Sequence, residues 1–120
     1  MAVFSGKKSI TQTEFVLTDS DVDETAVDDI FGGAGTIHGF HFENTHAATG
    51  AHFKAYDNAD PTVGTTAPDL IIHLPANINT VWYVTDGIVF ANLSYACVQE
   101  DGTSGTTAPA AAVKLHAVVR

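Results

Sequence analysis

Residues 36–75 read TIHGFHFENTHAATGAHFKAYDNADPTVGTTAPDLIIHLP, and the architecture follows from how this stretch is punctuated. Three extended segments, 36–43, 51–57 and 69–74, alternate with two breaker-rich connections, 44–50 and 58–68. Gly50 and Gly64 are free to take positive φ, while Pro61 and Pro68 fix φ and remove a strand donor. Each apolar run stops where turn chemistry begins, which is how short antiparallel strands look in sequence.

Alternation within these segments predicts their faces. In 36–43, His38, Phe40 and Phe42 share one face and Ile37, Gly39 and His41 the other. The aromatic face is the expected core, with Gly39 marking a bulge or a close backbone approach. Residues 51–57 set Phe53 and Ala55 against His52, Lys54 and Tyr56, so both faces carry an aromatic and one is expected to meet another subunit. Residues 70–74 are almost continuously apolar and read as a central strand.

Working outward, residues 78–85 are β-branched and aromatic, and Asp86-Gly87 is a tight-turn signal before 88–90. Residues 93–99 place Leu93, Tyr95 and Cys97 opposite Ser94, Ala96 and Val98; 100–109 is a loop by composition. A last strand over 111–120 points Val113, Leu115, Ala117 and Val119 inward, with Lys114, His116, Val118 and Arg120 outward. Upstream, 14–18 is the first strand of the domain and 1–13 an N-terminal arm. Between them and the centre lies an acidic stretch holding Asp19, Asp21, Asp23, Glu24, Asp28 and Asp29. Within it, 25–31 suits one helical turn, capped by Thr25 and ended by Gly32 and Gly33. The expectation is all-β: an antiparallel β-sandwich or jelly-roll-like barrel of seven or eight short strands, with minimal helix, forming a single domain over 14–120.

Composition limits the partners. The chain has 120 residues, of which 45% are hydrophobic and 16% charged, against roughly 25% charged in an average globular chain. That balance suits a folded domain with a second surface buried against partners. A net charge of −9 and no Lys/Arg cluster argue against nucleic acid and against an anionic membrane surface. The N-terminal residues lack the apolar core of a signal peptide, and no run approaches a membrane span. The single cysteine, Cys97, excludes an intrachain disulfide and reads as a buried, inert thiol.

Catalytic signatures are missing from the pattern. Ser94 lacks the flanking glycines of a nucleophile elbow. The Asp19-x-Asp21-x-Asp23 spacing opens like a calcium loop but then places Glu24 where a glycine is required and Ile30 where a bidentate Glu is required. Six histidines, His38, His41, His46, His52, His73 and His116, show no metal-ligand spacing, and His38 and His41 fall on opposite faces of a strand. No catalytic, cofactor-binding or metal-binding residue is therefore assigned, and no cofactor is expected. Trp82, Tyr83 and Tyr95 are the aromatics available for a sugar-stacking platform.

One resemblance adds to this. Asn44-Thr45 at a strand end, Phe53-Lys54-Ala55-Tyr56-Asp57, the 61–68 connection PTVGTTAP, Leu74-Pro75, and GIVFANLSYA over 87–96 form an ordered set covering about half the chain. As a set they resemble small β-structured virion proteins of tailed bacteriophages. The resemblance implies a non-enzymatic capsid decoration (cement) protein, made in the host cytoplasm and placed on the capsid surface, commonly as a homotrimer on the major capsid protein. The alternative it implies is a tail or fibre module that binds carbohydrate or a host receptor.

Overall fold

The computed structural model describes residues 2–5 and 15–120. It contains β1 (Ala2–Ser5), β2 (Phe15–Val22), β3 (Gly35–Asn44), β4 (Ala51–Asp57), β5 (Leu70–Leu74), β6 (Asn79–Phe90), β7 (Leu93–Val98) and β8 (Val113–Val119), and no helix among the described residues. They form a five-stranded antiparallel sheet in the order β1-β2-β8-β3-β6 and a three-stranded one in the order β5-β4-β7. The chain is an all-β sandwich of two antiparallel sheets.

The core is the volume between the sheets. β8 contributes Val113, Leu115, Ala117 and Val119, alternating with exposed Lys114, His116, Val118 and Arg120, as the period of two predicts. Across the gap, Phe40, Phe42, Phe53 and Tyr95 run ring to ring at centroid separations of 5.5, 4.7 and 5.6 Å. Such ring pairs, the first stacked and the other two tilted, add about 0.5–1.5 kcal/mol each beyond area burial. Cys97 is buried in this core, which pushes its thiol up to about 12.

Irregularities in register adjust the phase, one of them on β2 between Asp19 and Val22 against β8. Against β8, β3 carries one extra residue between Ile37 and Gly39, namely His38. Ile37 therefore joins Phe40 and Phe42 in the core, which corrects the strict alternation of the sequence reading. Against β6 the same gap is larger: Ile37 pairs with Ile88 and Gly39 with Tyr83, leaving residues 84–87 looped out of register. Asp86-Gly87 is consequently not a hairpin turn. It sits inside one long strand, with Gly87 at φ +79° and a Cβ there only 2.5 Å from Thr36 Cγ2. Both observations explain why glycine occupies the position.

Asn44 makes the corner between the sheets. Buried at the end of β3, its amide donates to the carbonyls of Thr49 and Leu74, each at 3.2 Å, and its Oδ1 accepts from the His46 N–H. The Asn-Thr of the sequence pattern is thus a structural joint, with Thr45 Oγ1 bonded to Ala112 O.

The acidic segment departs from expectation. Residues 25–31 make no helical turn; instead the backbone runs beside the free edge of β7. Val27 and Tyr95 exchange N–H···O bonds of 2.9 and 3.1 Å, the Ile30 N–H bonds Leu93 O, and the Cys97 N–H bonds Asp23 O. A lone helical turn gains one hydrogen bond for several fixed dihedrals, whereas an open strand edge offers a row of unpaired partners. At the other end of the chain, Ala2–Ser5 pairs with β2, within the span read as an arm; residues 6–14 lie outside the described residues.

Candidate functional site

The outer face of the three-stranded sheet carries His52, Lys54 and Tyr56 on β4, with Ser94, Ala96 and Val98 beside them on β7. It was a candidate interface because of Tyr56, and the chain itself covers it. Lys54 and Tyr56 are both 0% exposed. Connections 58–68 and 99–109 supply the cover: Ser94 Oγ donates to Asn58 O, Lys54 Nζ to Gly102 O, and the Gln99 carbonyl lies 2.8 Å from His52 Nδ1. The 61–68 connection is closed by Thr65 and Thr66 N–H groups bonded to Thr62 O, and at Gly64 (φ +90°) a Cβ would stand 2.5 Å from Thr106 Cγ2. Burial holds the Lys54 ammonium below its ordinary range, against the opposing pull of Glu100 and Asp101.

The outer face of the five-stranded sheet is different. Register aligns Val16, Val118, Gly39 and Tyr83 in one row across β2, β8, β3 and β6. The next row is Thr18, His116, His41 and Val81, and a third holds Lys114, Glu43 and Asn79. Tyr83 is 77% exposed, Val81 50%, Val118 42% and Val16 37%. The face therefore grades from apolar through histidine to charged along its strands. Near its centre Gly39 leaves a shallow depression of about 100 Å³, ringed by Val16, His41, Tyr83, His116 and Val118. That is below the roughly 300–1,000 Å³ of small-molecule sites. What the face offers is apolar contact, with the His41 and His116 rings 6.1 Å apart at its middle.

The remaining sequence candidates scatter. Trp82 turns inward onto Phe40 (5.7 Å), Tyr83 turns outward, and Tyr95 lies in the core, so the three form no common platform. Ser94 is buried, accepting from the Asp29 N–H while donating to Asn58 O, which leaves it no role as a nucleophile. Among the described residues, no three His, Cys, Asp or Glu side chains converge to hold a metal ion. None of the described helices is long and apolar enough to cross a membrane, since there are none.

Sequence reasoning missed two pairs of histidines. His41 faces His116 across β3 and β8, and His52 faces His73 across β4 and β5. Partners lie 75 and 21 residues apart in sequence, so only strand register brings them together. The chain matches no protein-family model, no curated protein and no solved structure.

Proposed function

We propose that the protein is a structural virion component of a tailed bacteriophage, a decoration protein that binds the major capsid protein as a homotrimer on the outer surface of the head. The observation that carries this reading is the apolar row on the five-stranded sheet. Val16, Val118 and Tyr83 are contiguous across Gly39 and exposed in the single chain, with Val81 beside them. Contiguous apolar surface of this kind marks sites of protein association. The low charged fraction agrees with large buried interfaces. The residues that carry the resemblance act here as scaffold: Asn44 joins the sheets, and the 61–68 connection is closed on itself by the Thr65 and Thr66 N–H groups bonded to Thr62 O.

Two measurements test it. Specific labelling of purified virions should decorate the whole head; label confined to the tail would overturn the head assignment in favour of the tail or fibre module. In sedimentation, the wild-type chain should associate, and Tyr83→Asp with Val81→Asp should dissociate it while leaving the sandwich folded. A wild-type chain that is monomeric at micromolar concentration refutes the oligomeric part of the proposal.

A further inference from the structure

His52 and His73 stand directly opposite each other on β4 and the edge strand β5. His73 Nδ1 lies 3.1 Å from His52 Nε2, with ring centroids 4.7 Å apart. The other ring nitrogen of His52, Nδ1, lies 2.8 Å from the backbone carbonyl of Gln99. A carbonyl only accepts, so the proton of neutral His52 resides on Nδ1 and the lone pair on Nε2, aimed at His73. An imidazole whose second nitrogen is held by a backbone carbonyl is the usual arrangement of a metal-ligating histidine, because it fixes both tautomer and ring orientation.

From this geometry we propose that His52 Nε2 and His73 Nδ1 form a bidentate site for a divalent transition cation of the zinc or copper class. Two nitrogens 3.1 Å apart, each bonded at about 2.0–2.1 Å, subtend an angle of about 98° at the ion. That lies between the square arrangement favoured by copper and the tetrahedral one favoured by zinc, and imidazole suits both. His73 needs only to carry its proton on Nε2 for Nδ1 to offer its lone pair. The site is accessible: His73 is exposed on the edge strand and His52 half-buried. Gly50 leaves room beside the His73 ring: a Cβ there would stand 3.3 Å from His73 Cε1. Because no third side chain converges among the described residues, water completes the coordination in the isolated chain.

The test is titration of the full-length protein with zinc and copper(II) chloride at pH 7.5, followed by calorimetry and by imidazole nitrogen shifts. One ion per chain is expected, perturbing His52 Nε2 and His73 Nδ1, with copper(II) broadening the amide signals of Ile72, Leu74, Val98 and Gln99 first. H73Q should weaken binding at least about tenfold, the lower end of what disturbing a ligand's support costs. This variant alters an exposed side chain and leaves the core intact. H41Q/H116Q serves as a control that retains wild-type binding. Equal affinity in H73Q and wild type, loss of binding in H41Q/H116Q, or no stoichiometric binding at millimolar metal would each overturn the proposal.

Discussion

Two tyrosines on neighbouring strands allow an opposed pair of predictions. Tyr95 on β7 and Tyr56 on β4 are both 0% exposed, and Phe differs from each only by a hydroxyl. Tyr95 projects between the sheets and donates a 2.8 Å bond to Asp19 Oδ2, which reaches down from β2 on the opposite sheet. Tyr56 lies on the opposite face of its sheet, the same face as Lys54, and its hydroxyl is buried with no hydrogen-bond partner. Tyr95→Phe therefore removes a bond to a charged acceptor, about 1.5–3 kcal/mol. Asp19 keeps its bond from the Asp21 N–H, so the upper end of that range is the limit. Tyr56→Phe removes an unpaired polar group from the interior, with an expected effect between neutral and about 1 kcal/mol stabilising. Urea unfolding followed by far-UV circular dichroism, at constant m, reads both. In thermal melts, about 4 °C per kcal/mol is expected at this chain length. Equal losses in the two variants, or a loss above about 1 kcal/mol in Tyr56→Phe, would refute the assignment of partners.

The corner residue gives a second contrast: Asn44→Ala should cost about 2 kcal/mol, and Asn44→Asp more, because a buried carboxylate would face the carbonyls of Thr49 and Leu74. Denaturant midpoints at neutral pH rank the two, and an Asp variant as stable as Ala would contradict the hydrogen-bond assignment. Cys97 should be inert to thiol reagents at pH 8 in the folded protein and react only on unfolding. Because its folded pKa is raised to about 12 from about 9, its contribution is fully present below pH 9 and is lost as pH rises towards 12. Lys54, whose pKa is lowered by burial, acts in the opposite sense. The comparison is therefore with Cys97→Ala, whose stability should decline less between pH 8 and 10.5; parallel declines would count against it. Finally, Asp21, Glu24 and Asp28 are exposed; if the proposed capsid attachment holds, their amide variants together should weaken it and lower its salt dependence, whereas unchanged attachment leaves the segment a structural strap alone.

The strand content was legible because nearly every apolar run alternates or is bounded by Gly, Pro or Asn, as in β8 and the 58–68 connection. Phase was harder. Periodicity placed Ile37 opposite Phe40, but His38 is an extra residue against β8, and a bulge leaves no local signal beyond the neighbouring glycine. Asp86-Gly87 looked like a hairpin because the same glycine chemistry serves a turn and a bulge. The acidic segment misled for another reason: its pairing to β7 is made by backbone atoms, which side-chain composition does not report. The candidate face was legible only in part. Val118 and His116 were correctly turned outward, but the rows they join, Val118 with Val16 and Tyr83 and His116 with His41 and Val81, depend on register across four strands. Tyr56 suggested an interface, but it is fully buried within the single chain.

The displaced residues 84–87 on β6 have a consequence for how copies of the chain can meet. β6 is an outermost strand, and a 12-residue edge is long enough to recruit a foreign strand into endless sheet growth. The out-of-register residues divide its pairing with β3 into two runs, 79–83 and 88–90. The longer run keeps the usual five residues of a strand, and the shorter, at three, falls below it. An incoming strand therefore finds no single regular edge along the whole of β6, and would have to reproduce the same offset at 84–87 to pair with its full length.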